Sequence, residues 1–188
     1  ILTYLSLISA LFGTHLAFQG ETVAALTCLL LCGAFDSFDG MVARTKKGRT
    51  EAEKKFGIQI DSLVDMFSFG IFPAIMGLTG WLWGIIFGIY AICAVSRLGY
   101  FNVVEEMRQK ETTEKRKYYQ GLPVTSASLI FPAIYLLKGF LSPLLTYSIY
   151  GWCMALVVVD FKVIKPGLKG IIGMAFVGFL IFIGLMFV

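Results

Sequence analysis

Apolar runs of about 16 to 24 residues succeed one another along this chain, and each is long enough to cross a hydrocarbon core of ~30 Å. Seven such spans fit, over residues 1–18, 22–44, 57–79, 81–104, 121–137, 142–159 and 168–188. Of the 188 residues 57% are apolar, and the mean hydropathy is +0.80. That leaves too little polar surface for a soluble domain of this size. The expectation is an all-α, polytopic integral membrane protein, with residues 1–188 forming one membrane domain and no separate soluble one. The chain opens on Ile1 rather than a methionine, so further residues are expected upstream. The first apolar run reads as a retained helix rather than a cleaved signal peptide.

Short connections at Gln19–Glu21, Gly80 and Lys138–Leu141 alternate with longer, charged ones at Thr45–Phe56, Glu105–Gln120 and Asp160–Gly167. Seven alternating spans place the three charged loops on one side of the membrane. The first carries Lys46, Lys47, Arg49, Lys54 and Lys55, and the second Arg108, Lys110, Lys115, Arg116 and Lys117. With Lys162, Lys165 and the adjoining Lys169, that side holds 13 of the 16 lysines and arginines. Arg44 and Arg97 lie near the same helix ends, and only Lys138 falls opposite. By the positive-inside rule the charged side is cytoplasmic, with the N-terminus inside and the C-terminus outside. The net charge of +4 follows from these loops, which suit anionic lipid headgroups rather than nucleic acid. Trp81 and Trp83, at the far end of a span, fit an interfacial aromatic belt. Loops of this kind orient most membrane proteins and say little alone about chemistry.

Cys28, Cys32, Cys93 and Cys153 all lie in apolar runs, and no histidine joins them, so they read as small packing residues. The lone His15 makes no metal site.

The 12 acidic residues are the informative ones. Seven glutamates lie in loops or at span ends, and Asp160 closes a span at the cytoplasmic edge. Asp36, Asp39, Asp61 and Asp65 fall inside spans. An uncompensated aspartate near mid-membrane costs ~2.5–3.5 kcal/mol, and intramembrane carboxylates usually mark function. Asp36 and Asp39 are three apart and share a face of the second span, while Asp61 and Asp65 are four apart and share a face of the third. Counted from Arg44 and from Gly57 at ~1.5 Å per residue, both pairs lie ~6–12 Å inside the cytoplasmic edge. Four carboxylates at similar depth on neighbouring antiparallel helices repel unless cations lie between them. Oxygen-only ligation favours Mg²⁺, Mn²⁺ or Ca²⁺ over zinc, and two divalent ions balance four charges. Gly40 and Gly57 leave space beside the acids, Ala43 is small, and Arg44 offers a planar fork suited to phosphate. Carboxylates, glycines and arginine together point to a phosphoester or pyrophosphate substrate.

The pattern Asp36-x2-Asp39-Gly40-x2-Ala43-Arg44, followed by Gly57-x3-Asp61-x3-Asp65, resembles the signature of the CDP-alcohol phosphotransferase family. Twelve residues separate Arg44 from Gly57 where that signature usually has eight, an excess of about one helical turn placed in the cytoplasmic loop. Three further stretches are similar to the phosphatidylserine synthase branch. They are DSLVDMFSFGIFPA (61–74), SRLGYFNV (96–103), with Tyr100 where that branch has a second arginine, and YYQGLPVTSAS (118–128).

The resemblance implies a six-helix core plus a seventh C-terminal helix, and transfer of the phosphatidyl group of CDP-diacylglycerol to L-serine with release of CMP. It implies Asp36, Asp39, Asp61 and Asp65 as ligands of two Mg²⁺ or Mn²⁺ ions, with Asp65 as the base for the acceptor hydroxyl. Asp36, Gly40, Ala43, Arg44 and Gly57 would line the CDP site, and Arg97 would serve the acceptor or a phosphate. Thr3 would belong to a first-helix start near the nucleotide. A homodimer in the cell membrane, with its active site toward the cytoplasm, also follows from the family. Glycerol 3-phosphate or inositol phosphate are alternative acceptors, and a cation-coupled transporter is the alternative outside the family.

Overall fold

The computed structural model of the chain describes residues 2–43, 48, 50–77, 81–111, 118–140, 159, 162–164 and 167–187. Helices α1 (Leu2–Phe18) and α2 (Thr22–Ala43) form an antiparallel hairpin closed at Gly20, whose φ of +83° suits a residue without a side chain. Their contact is close because Gly13 is small. A Cβ there would overlap the Phe72 ring and lie 2.7 Å from the Cys28 Cβ. Polar groups along the seam find partners, as lipid requires. Ser9 donates to the Cys28 carbonyl at 3.0 Å and the Cys32 thiol to the Ser6 carbonyl at 3.3 Å. Cys28 and Cys32 are buried free thiols, in keeping with packing roles.

The third span differs from the hydropathy expectation at its start. Helix α3 (Glu51–Asp65) begins six residues before Gly57. The Thr50 hydroxyl accepts from the Glu53 N–H at 3.2 Å, and the Glu53 carboxylate accepts from the Thr50 N–H at 2.8 Å. This capping box, with the Lys54–Glu51 pair at 2.8 Å, starts the helix in a stretch whose charge marked it as loop. The added length of the 45–56 connection is thus partly spent on helix. Asp61 and Asp65 lie ~15 and ~21 Å from the start of α3 rather than ~6–12 Å from a start at Gly57.

Beyond Asp65 the helix widens into a π turn over Met66–Ile71, then resumes as α4 (Phe72–Met76). Pro73 accounts for the widening. It has no N–H to give the Phe69 carbonyl four residues back, and its ring crowds that carbonyl. The Phe72 N–H reaches instead to the Phe67 carbonyl, a five-residue step. Tyr90, fully buried, donates its hydroxyl to the Phe69 carbonyl at 2.5 Å.

Helix α5 (Trp81–Glu111) continues seven residues past the expected end of its span. Pairs three and four apart, Arg108–Glu105 at 2.6 Å and Lys110–Glu106 at 3.4 Å, support that charged extension. Short strands β1 (Tyr118–Gln120) and β2 (Lys162–Ile164) then pair antiparallel, Tyr119 opposite Val163, tying two charged connections together. A 3₁₀ turn over Val124–Ser126 leads into α6 (Ala127–Leu137), which packs on α2 where Gly33 leaves space for Ser128. Helix α7 (Leu168–Leu185) packs on α6 and α2. A Cβ on Gly88 in α5 would meet nothing among the described residues within 4 Å.

Three helical stretches, Thr22–Asp39, Glu51–Met76 and Gly84–Arg108, are long and apolar enough to cross a membrane, and three shorter apolar helices accompany them. The chain is an all-α polytopic membrane protein, with one six-residue β ladder among the described residues. The sixth expected span, 142–159, lies outside the described residues except for Val159, as do Arg44, the surroundings of Gly40 and the side chains of Ala43, Trp81 and Trp83.

Tyr90→Phe keeps the ring but strands the Phe69 carbonyl, so it should cost about 1–3 kcal/mol and lower the thermal midpoint in detergent. An unchanged midpoint would contradict this account of the π turn.

Candidate active site

Helix α2 supplies Asp36 and α3 supplies Asp61 and Asp65. One carboxylate oxygen from each lies within 4.8 Å of the other two. Among the described residues no cation pairs with them. Helix α1 packs against both α2 and α3 and holds the two together. Asp39 stands one turn from Asp36 and outside this trio. It accepts a hydrogen bond from the Thr3 hydroxyl at the start of α1, while remaining within electrostatic reach of Asp65. Of the four aspartates read from the spacing, three therefore converge and the fourth is tethered beside them.

Two contacts set the level of α5 against this centre. The Asn102 amide donates to the Ser62 hydroxyl at 2.8 Å, next to Asp61. Farther along, a Cβ on Gly70 would stand 3.2 Å from the Ala94 Cβ. The residue numbers in both pairs add to the same total, so α5 runs antiparallel to the third span in one register. Arg97 then lies opposite Phe67, ~3 Å beyond the level of Asp65. Arg97 is half-buried and adjoins Gly121 and Val159, whereas Tyr100, in the position of the branch's second arginine, is exposed.

Gly57 lies one turn before Asp61, and a Cβ there would meet nothing among the described residues within 4 Å. Gly40 and Ala43 occupy the last turns of α2. Ser68, fully buried in the π turn, lies 3.4 Å from the Ser6 hydroxyl and links α1 to the stretch behind Asp65. Irregular turns of this kind often adjoin functional sites.

Several supporting residues were given no role of their own. Ser62, Ser68 and Gly121 lie in the stretches that resemble the branch, and Tyr90 lies outside them. Only Pro73, four residues after Phe69 in a helical span, signals that some donor must replace a missing N–H.

The donor set is all carboxylate, with no thiol or imidazole, and suits a hard divalent ion.

The sequence model of the CDP-alcohol phosphatidyltransferase family matches residues 1–163. Among curated relatives, an archaetidylserine synthase of Methanothermobacter thermautotrophicus is 34% identical over 149 residues, covering 77% of this chain and 59% of that protein. A CDP-diacylglycerol–serine O-phosphatidyltransferase of Saccharomyces cerevisiae is 32% identical, covering 65% and 45%. One from Mycobacterium bovis is 27% identical, covering 73% and 48%. The chain thus spans about half the length of the curated relatives it matches. With the family match extending over most of its residues and including all four aspartates, the chain belongs to the CDP-alcohol phosphatidyltransferase family.

Proposed function

We propose that the chain transfers the phosphatidyl group of CDP-diacylglycerol to the hydroxyl of L-serine and releases CMP, in a reaction that needs a divalent metal. The observation that carries this reading is the meeting of Asp36, Asp61 and Asp65 on two helices, within the spacing that marks the family. Relatives named for serine transfer support serine as the acceptor.

Asp36, Asp61 and Asp65, with Asp39 beside them, would hold one or two Mg²⁺ or Mn²⁺ ions. When bound, such ions supply Lewis-acid stabilisation of the pyrophosphate oxygens. The chain's own groups do the rest. Gly57 leaves room for the CDP moiety, which Asp36, Gly40, Ala43 and Arg44 would also line, Arg44 as a donor to phosphate. The serine hydroxyl oxygen attacks the lipid-bearing phosphorus, and the bond from that phosphorus to the CMP oxygen breaks. Asp65 accepts the hydroxyl proton. Arg97, close to the depth of Asp65, offers a two-pronged donor to the serine carboxylate. The basic loops support a centre that faces the cytoplasmic side of the cell membrane. There the nucleotide and serine arrive from water while the acyl chains stay in lipid.

In detergent with Mg²⁺ or Mn²⁺, CMP release from CDP-diacylglycerol should depend on L-serine and vanish with chelator. Asp65→Asn should slow it by at least ~10²-fold. Release supported by glycerol 3-phosphate or inositol phosphate but not serine would reassign the acceptor. Release with no alcohol tested, or an unimpaired Asp65→Asn, would contradict the enzyme reading.

The same centre should show in stability. Without divalent ions, Asp36→Asn and Asp61→Asn should melt higher than the wild type, because each removes a like charge from the trio. At Mg²⁺ or Mn²⁺ about 100-fold above its dissociation constant, the wild type should gain ~2.7 kcal/mol and the variants much less. Equal metal-induced shifts in all three proteins would contradict metal binding by these residues.

A further inference from the structure

Gly121 follows β1 and is buried, with a φ of +70°. A Cβ added there would lie 2.5 Å from the Val159 carbonyl oxygen, 2.6 Å from Arg97 Nη1 and 3.1 Å from Arg97 Cζ. The missing side chain is therefore space taken up by the Arg97 guanidinium and by the backbone that precedes β2. The β1–β2 ladder, with Gln120 opposite Lys162, fixes both strands that frame this space. An arginine has many rotamers, and recognition of a carboxylate by its fork requires that one be held. The register of α5 puts this guanidinium near the depth of Asp65, where an acceptor hydroxyl would lie.

We propose that Gly121 is a positioning residue for acceptor selection: lacking a Cβ, it lets Arg97 lie against the backbone in the pose that receives the carboxylate of the acceptor. The inference rests on the reading of Arg97 as an acceptor-binding group. A glycine needed only for its turn is the competing explanation, and the two separate by experiment. Asparagine tolerates a left-handed φ but brings a Cβ, so Gly121→Asn relieves the turn and keeps the collision.

Wild type, Arg97→Gln, Gly121→Ala and Gly121→Asn are compared for kcat/KM with L-serine and with serinol, in which a hydroxymethyl group replaces the carboxylate. The preference for L-serine over serinol should fall at least ~10-fold in all three variants, the loss expected for a charged hydrogen bond. The KM for CDP-diacylglycerol should stay within about twofold of wild type. If Arg97→Gln keeps the preference, the acceptor reading of Arg97 itself fails. If Arg97→Gln loses it while Gly121→Asn keeps it, or lowers both acceptors equally, only the role of Gly121 is overturned. A Gly121→Asn protein that does not fold also overturns it, since the residue would then be structural.

Discussion

Mutual repulsion among Asp36, Asp61 and Asp65 is the constraint that the surrounding helices must withstand. At a separation of 4.8 Å, two unit charges repel by about 3 kcal/mol at an effective dielectric constant of ~20. Three such pairs approach the ~5–15 kcal/mol that stabilises a typical fold. A charge of opposite sign must lie among these carboxylates whenever all are ionised. A divalent ion provides it compactly, and no lysine or arginine of the described residues does. The cluster is costly as architecture alone, and it could bind a metal.

The helices resist that repulsion through contacts away from the acids. Helix α1 bridges the two acid-bearing helices, pressed onto α2 at Gly13 and joined to the π turn through Ser6 and Ser68. Thr3 tethers Asp39 at one edge, and Asn102 ties α5 to Ser62 at the other. Tyr90 closes the backbone gap that Pro73 opens. The Ser6–Ser68 and Tyr90–Phe69 contacts are buried, so each matters more than it would at a surface.

The parts legible in sequence were those governed by period and composition. Apolar runs located the helices, and the i,i+3 and i,i+4 spacings placed the aspartates on shared faces. Helix ends were less legible, because hydropathy treats charge as loop. Thr50-x-x-Glu53 is a capping signal, and Glu105 and Glu106 each have a basic residue three or four places on, yet both stretches lie beyond the apolar runs. The setting apart of Asp39 depends on Thr3, 36 residues away, and the surroundings of Arg97 on a glycine and a carbonyl from two other segments. No local pattern encodes such meetings.

The central claim is that α2 and α3 aim their carboxylates into one cation-binding pocket. Electron paramagnetic resonance of Mn²⁺ titrated into the purified protein tests it most directly. The account predicts saturable Mn²⁺ binding that Asp36→Asn on α2 and Asp61→Asn on α3 each abolish or weaken strongly. Binding unchanged by either substitution, or no saturable binding to the wild type, would contradict it.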